Sequence, residues 1–358
     1  MNKPKLGIKL AFITGLRRVV LDEISQYPNL YIIKEKREPL YGDFMYFNFV
    51  EDFTKFASLR SVLRAYIITQ NPRYNPHYIS NHKSILSGII AMILKDQDTK
   101  FKTFKIFCAG ADSPTIRSIA EYIKNTHKLI EAEEADLKIH IIKTEKTWEV
   151  GAKITPRPLS FRDYRTKHMS GTMNPTIAYA MNSLCDLEHT TSYLNIFSGS
   201  ATLLIEAGQC YPNLKQLIGF DNNKKVISLA YRNIKQAGLI RKIQLKEKDI
   251  FDELDLGKFD VITSNLPFGM SISKNEDLEK LYRCFIKYCQ KTLSPNGRLA
   301  VYTSKHEMLK KIILESQFKI VKILELKFLT SVNAYLRPKI FLCKFKKQEH
   351  EKQITEKK

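Results

Sequence analysis

The sequence predicts an α/β protein in three pieces. These are a ferredoxin-like α+β unit, a second small α/β unit, and a doubly wound parallel sheet that ends in an antiparallel hairpin. Three observations lead there. The first seventy residues read strand, helix, strand, strand, short helix, strand, the ferredoxin-like order. From Thr176 onward, apolar strand patterns alternate with helical ones, and repeated βα units imply a parallel sheet. The last two strand patterns, FKIVKILELKFL and KIFLCKFKK, have no long helix between them, so they pair antiparallel at one side.

In chain order, KLGIKLAFI (Lys5–Ile13) is a strand, and Thr14 could cap a helix running through GLRRVVLDEIS to Ser25. LYIIKEK and FMYFNF are strands, DFTKFASL a short helix, and VLRAYIIT a strand. NPRYNPHY, with two prolines, breaks the rhythm and separates residues 1–70 from a second unit over 71–155. That unit opens with a helix from Ile79 to Leu94, apolar at Ile85, Leu86, Ile89, Ile90 and Ile93. FKIFCAG is its first strand, a helix starts near Pro114, and DLKIHIIKT and WEVGAKI close it. Residues 156–175, proline-bearing and basic, read as a linker to a domain over 176–347. There SYLNIF, QLIGFD, KIQLKEKD, FDVITSN and GRLAVYTS are the strands, with helices between most of them. The tail 348–358 lacks apolar periodicity and is expected to be disordered.

Composition narrows the function. The 358 residues carry a formal net charge of +21, which favours a polyanionic partner through attraction and counterion release, although a generally lysine-rich surface would look the same. The six cysteines form no CxxC pair and sit mostly in apolar runs, which reads as reduced thiols in a cytoplasmic protein rather than a metal site or disulfide frame. No apolar run approaches membrane-spanning length, and the N-terminus lacks a signal-peptide pattern.

In a doubly wound sheet, ligands bind at the carboxyl ends of the strands near the switch point. The first such end is FSGSATLLIEA, where Gly199 lets the backbone turn tightly, either toward a ligand or simply into a helix. The second is Asp221, which could accept from ribose hydroxyls or cap the helix Asn222–Gln236. The third is Asp249, an acceptor for an adenine amino group with Ile250 or Phe251 against the ring, or a solvated loop residue. The fourth is Asn265-Leu266-Pro267-Phe268. Proline fixes this turn, the Asn265 oxygen and the Leu266 carbonyl can both accept from one amino group, and Phe268 can stack on a base or pack into the core.

Taken in order, these strand ends resemble the class I S-adenosylmethionine-dependent methyltransferases. Asn265-Leu266-Pro267-Phe268 is similar to the (D/N)-P-P-(Y/F) motif of amino-methylating members. Its NLPFG form resembles that of the THUMP-domain tRNA guanine-N2-methyltransferases. TGLRRVVLDEI, LRSVLRAY and YRTKHMSGTMNPTIAYAM extend the likeness over most of the chain, and it is closest to the enzymes that modify guanosine 6 of the acceptor stem.

The resemblance implies a Rossmann-like methyltransferase domain behind the ferredoxin-like and THUMP units. It places Asn195, Phe197, Gly199, Ser200, Ala201, Asp221, Asn222, Asp249, Ile250 and Asn265 around S-adenosylmethionine. Asn265, Leu266, Pro267 and Phe268 would receive the guanine amine and base. tRNA is the implied partner, with Arg157, Arg162, Arg165, Lys167 and His168 of the linker on its phosphates; no metal is implied, and the chain is expected to act as a monomer.

The first motif departs from the family pattern D-P-(F/M)-C-G-(S/T)-G. Asn195 stands for the acid and Ala201 for the last glycine, and both changes bear on cofactor binding. Three readings therefore stay open: a guanine-N2 enzyme acting at position 6 or 10, an RNA-binding protein without cofactor, and an adenine-N6 methyltransferase. The sequence leaves the position and the number of methyl groups undetermined.

Overall fold

The computed structural model describes residues 6–38, 42–71, 79–95, 101–108, 113–144, 148–166, 171–252, 255–269, 278–331 and 334–346. The chain divides into two compact units, Met1–Phe161 and Arg162–Lys358.

Unit 1 contains, in order, β1 (Leu6–Phe12), α1 (Arg17–Ile24), β2 (Ile32–Glu38), β3 (Gly42–Asn48), β4 (Val62–Asn71), α2 (Ile79–Lys95), β5 (Thr103–Cys108), α3 (Pro114–His127), β6 (Ile130–Glu131), β7 (Leu137–Lys143) and β8 (Trp148–Lys153). The expected short helix before β4 is a 3-10 helix, Phe53–Ser58, which buries Phe53 and Phe56. The strands form one sheet in the order β2-β3-β1-β4-β8-β7-β5-β6. Its first four strands have the ferredoxin-like order. The antiparallel pairing of β4 with β8, from Tyr66 opposite Lys153 to Asn71 opposite Trp148, then joins the two small units that the sequence pattern separates. The segment NPRYNPHY that suggested the break lies almost wholly outside the described residues.

Strand alternation explains why the sheet holds. Ile8, Leu10 and Phe12 of β1, Ala65 and Ile67 of β4, Val150 and Ala152 of β8 and Ile139 and Ile141 of β7 point to one side, and all are buried. The fully buried Leu86, Ile89, Ile90 and Ile93 of α2 supply the matching helical stripe. Ser113 caps α3 by accepting from the Ile116 N–H, with Pro114 in the first turn.

Unit 2 contains α4 (Pro175–Ser183), β9 (Ser192–Ile196), α5 (Thr202–Cys210), β10 (Gln216–Asp221), α6 (Lys224–Gln236), β11 (Ile243–Glu247), β12 (Phe259–Asn265), α7 (Leu278–Thr292), β13 (Leu293–Thr303), α8 (His306–Glu315), β14 (Phe318–Glu325), β15 (Phe328–Ser331), β16 (Ala334–Leu336) and β17 (Lys339–Phe345). Seven strands form a sheet in the order β11-β10-β9-β12-β13-β17-β14. β11 to β13 are parallel, and the terminal pair is antiparallel, as the missing crossover helix requires. β15 and β16 make a separate small hairpin between the last two sheet strands.

Strand order reverses between β9 and β12, so a crevice opens beyond their carboxyl ends. One core cluster holds these ends in place, with Leu194 and Ile196 of β9, Phe220 of β10, Ile262 of β12, Phe285 of α7 and Val301 of β13 among its buried members.

Candidate functional site

The carboxyl ends of β9, β10, β12 and β13 line a cavity of about 860 Å³, within the range of small-molecule and cofactor sites. Asn195, Phe197, Gly199, Ser200, Asp221, Asn222, Asp249, Ile250 and the turn from Asn265 to Phe268 all contribute to its wall.

The loop after β9 is built from left-handed residues. Phe197, Gly199 and Ala201 have φ of 54°, 52° and 62°. Ala201 is fully buried and is the residue before α5, so it carries a Cβ in a conformation that glycine adopts without strain. Ala201 does not itself line the cavity.

Asp221 organises this loop. One of its carboxylate oxygens accepts from the Gly199 N–H at 2.9 Å, and the other from the Asn223 N–H at 3.1 Å. The α6 cap is Asn223, whose side chain accepts from the Lys225 and Val226 N–H groups. That leaves Asp221 as a half-buried acceptor in the cavity wall rather than the cap. Burial pushes its carboxyl up, and the backbone donors at Gly199, Asn223 and Asn222 oppose that rise. Asp249 accepts from Asn222 Nδ2 at 2.8 Å and from the Phe251 N–H at 3.0 Å, tying the ends of β10 and β11 together. Ile250 is buried in the core, while Phe251 is 52% exposed at the cavity edge.

Asn195 is buried, and its amide orientation follows from a hydrogen-bond chain. Asn182 Nδ2 donates to the Leu203 carbonyl, so Asn182 Oδ1 accepts from the Tyr193 hydroxyl at 2.7 Å. The Tyr193 oxygen in turn accepts from Thr263 Oγ1 at 2.7 Å. Asn195 Nδ2 faces the Thr263 carbonyl at 3.1 Å, with Thr263 Oγ1 and the Ile196 carbonyl each at 3.4 Å. Three acceptors around one atom identify it as the NH2 group. Asn195 Oδ1 is then a buried acceptor with no partner among the described residues.

The turn after β12 is braced at each position. The Leu266 N–H donates to the Tyr302 carbonyl at 3.0 Å, and the Leu266 side chain is buried in the core. The Pro267 carbonyl accepts from the Tyr282 hydroxyl at 2.9 Å, which also pairs with Thr303 Oγ1. Phe268 is half-buried, with its ring centroid 5.6 Å from that of Tyr302. It is therefore less exposed than a ring waiting only for a base, and it keeps a face in the cavity wall. Asn265 Oδ1, like Asn195 Oδ1, is buried without a partner among the described residues.

S-adenosylmethionine presents an ammonium, a ribose diol and an adenine amine, all donors. The cavity offers acceptors at Asn195, Asp221 and Asp249, and the buried Asn195 Oδ1, unpartnered among the described residues, is what such a donor-rich ligand would satisfy. The family described as RMKL-like, methyltransferase domain, matches residues 162–330. Residues 162–330 are thus similar to a methyltransferase domain.

Sequence comparison finds relatives that match about half of the chain. The chain is 28% identical over 169 residues to the tRNA (guanine(6)-N2)-methyltransferase of Thermus thermophilus, covering 46% of this chain and 49% of that protein. It is 27% identical over 171 residues to the bovine U6 snRNA (guanine-N(2))-methyltransferase THUMPD2, covering 48% of this chain and 32% of that protein. The chain thus spans about half, or less, of the length of these two relatives. In structure it resembles TrmN from Thermus thermophilus, with a TM-score of 0.72 at 19% identity over 95% of this chain and all of the other. That likeness extends the shared fold through both units.

The cavity also has wall residues that the strand ends alone do not supply. Thr172, Met173, Asn174 and Ile177 line the cavity ahead of and within α4, and Phe328 and Leu336 reach it from the β15–β16 hairpin. Tyr302 lines it from the end of β13, a strand carboxyl end that the same rule could have picked out.

The linker residues need correction. Arg162 is not a free phosphate ligand. Its guanidinium pairs with the fully buried Glu206, Nε to Oε1 at 2.9 Å, while the Tyr164 hydroxyl donates to the same carboxylate at 2.8 Å. A buried carboxylate needs such partners, so Arg162 is committed to the fold. Arg157 is exposed, with its guanidinium 5.3 Å from the Phe161 ring, and Arg165 is half-exposed. Lys167 and His168 lie outside the described residues, as does the tail 348–358.

Proposed function

We propose that the chain methylates the exocyclic N2 amine of a guanosine in RNA, and that the RNA is a tRNA modified at position 6 of the acceptor stem. The observation that carries this reading is the unpartnered, buried Asn265 Oδ1, held by a braced turn in the acceptor-lined cavity beside Phe268. The names of the Thermus and bovine relatives support guanine N2 as the target.

In this mechanism Asp221 accepts from the ribose hydroxyls with the lone pairs left by Gly199 and Asn223, and Asp249 from the adenine amine. Asn195 Oδ1 accepts from the ammonium. Bound S-adenosylmethionine supplies a methyl group already activated on positive sulfur. Asn265 Oδ1 and the Leu266 carbonyl accept from the guanine amine and orient its nitrogen toward that methyl, while Phe268 and Tyr302 give the base an aromatic wall. Burial raises the phenols of Tyr282 and Tyr302, so both stay protonated and neither acts as a base. The amine loses its proton to water after the N–C bond forms. A base inside a stem must leave the stack to reach such a cavity.

The test is nucleoside analysis of a tRNA transcript incubated with the protein and S-adenosylmethionine. The expected product is N2-methylguanosine that disappears when guanosine 6 is replaced. Product that persists with guanosine 6 replaced and is lost with guanosine 10 replaced moves the position. Methylation of a transcript with inosine for every guanosine overturns the N2 assignment, because inosine has no N2 amine. Transfer to U6 snRNA and none to tRNA would favour the second reading that the bovine relative suggests.

A further inference from the structure

One buried side chain of α6, Asn233, lies outside the cavity wall yet reaches the loop that forms it. Ile227, Ala230, Asn233 and Ile234 are the buried positions of this helix. Asparagine is a poor residue for a helix interior, and burying its amide costs free energy unless the polar atoms are met. Asn233 is met on both sides. Its Oδ1 accepts from the Thr166 N–H and from Thr166 Oγ1, each at 3.2 Å. Its Nδ2 donates to the Ser200 carbonyl at 3.1 Å. An N–H can only donate and a carbonyl can only accept, so these partners fix which way the amide points.

The two partners of Asn233 differ in kind. Ser200 lines the cavity in the loop after β9. The next residue is Ala201, whose φ of 62° sets a Cβ in the left-handed region. Left-handed alanine is strained, and such a conformation persists only where its surroundings fix it. The Ser200–Ala201 peptide is fixed at both of its polar atoms. The Ala201 N–H donates to the Ser198 carbonyl at 2.8 Å, and Asn233 holds the Ser200 carbonyl. Thr166 is exposed and ends a short segment that is also pinned to α5, where Arg162 and Tyr164 both meet the Glu206 carboxylate. Because α5 begins directly after Ala201, residues 162–166 bear on the strained peptide through two helices.

We propose that Asn233 is a positioning residue for the cofactor loop, and that Thr166 sets it: together they latch the Ser200–Ala201 peptide in the shape that S-adenosylmethionine meets. Glycine at position 201 would hold this shape without strain, whereas alanine makes the loop depend on a contact outside it. A hydroxyl that does not line the cavity thereby sets cofactor affinity. The coupling is reciprocal, so a bound cofactor also steadies residues 162–166. The proposal rests on the reading of the cavity as an S-adenosylmethionine site.

The first test titrates S-adenosylmethionine calorimetrically into the full chain and into its Thr166→Val and Thr166→Ser variants. Valine removes the hydroxyl and keeps the backbone N–H, so Asn233 Oδ1 retains one donor. We expect about fivefold weaker binding for Thr166→Val, the size of one neutral hydrogen bond, and the parent affinity for Thr166→Ser. The second test is a double-mutant cycle. Asn233→Ala should weaken binding at least about fivefold more in the parent than beside Ala201→Gly, because the strain of a left-handed alanine is worth a factor of about 5–30. A general loss of stability would weaken both backgrounds alike. Equal affinity of Thr166→Val and the parent, or equal losses in the two backgrounds, overturns the proposal. The third readout needs no ligand. Hydrogen exchange at the Gly199 and Ala201 amides should quicken in Thr166→Val and in Asn233→Ala. If the parent takes up no S-adenosylmethionine, the cofactor reading falls and exchange alone decides the latch: quickened exchange upholds it, and unchanged exchange overturns it.

Discussion

Asn195 shows how one atom's environment decides a residue's chemistry. Its NH2 faces three oxygens, and the chain from Asn182 through Tyr193 and Thr263 leaves no spare proton to meet a carboxylate there. Asn195→Asp would bring the acid usual in the family, yet set a negative oxygen against the Thr263 and Ile196 carbonyls. We expect a loss of about 1–3 kcal/mol near neutral pH, the usual penalty for an unsatisfied buried group. Protonation restores a donor, so the folded-state pKa of the new acid is raised and the deficit grows as pH rises. Urea denaturation at pH 5 and pH 8 checks this, and equal deficits would contradict it. Ala201 offers the opposite case. A left-handed alanine costs about 1–2 kcal/mol, and glycine loses about 0.5–1 kcal/mol more freedom on folding. Ala201→Gly should therefore stabilise the domain by about 0.5 kcal/mol, read as a small upward shift in thermal unfolding. A lower melting temperature would show that the buried methyl packs well enough to outweigh the strain.

At the scale of elements, the Lys9–Glu149–His140 cluster links β1, β8 and β7, and so bridges both halves of the unit 1 sheet. Burial alone would raise the Glu149 carboxyl, but His140 and Lys9 together outweigh it and hold it well below its usual value. A depressed folded-state pKa stabilises above the unfolded value near 4.5, and that contribution fades as pH falls below it. Burial lowers the His140 pKa, so the pair that matters near neutrality is Lys9 with Glu149. Glu149→Gln leaves Lys9 buried without its counter-ion, and we expect a loss of about 3–5 kcal/mol at pH 7. The loss should shrink toward pH 3, where the native carboxylate's advantage also fades. Hydrogen exchange of β1 and β8 amides would report it, and a variant as protected as the parent at pH 7 would remove the cluster from the account of the sheet.

Across the whole molecule, charge and chemistry fall on different units. The acceptors that suit a donor-rich cofactor gather at the strand ends of unit 2, while the buried Lys9–Glu149–His140 cluster stands in unit 1. The methyl-transfer test therefore uses the complete chain. The formal charge of +21 makes binding to a polyanionic substrate sensitive to salt, so product yields are compared at one ionic strength.

The sequence by itself determined the alternation that makes unit 2 a doubly wound sheet, because strand and helix periods are local. It also determined the candidate residues at the ends of β9, β10, β11 and β12, because strand ends in such a sheet point to one crevice. It showed that Asn195 and Ala201 depart from the family pattern, without showing what either change meets. Tertiary structure alone decided the rest. The pairing of β4 with β8 joins two patterns that proline-rich sequence seemed to part, since pairing partners are chosen by register over long separation. Arg162 read as a free cation until its contact with Glu206, 44 residues away, appeared. The β15–β16 hairpin and the residues before α4 reach the cavity wall through packing that no local period encodes. A single chain states which groups it owns; which of them meet, and which are left without a partner, is set by contacts distant in sequence.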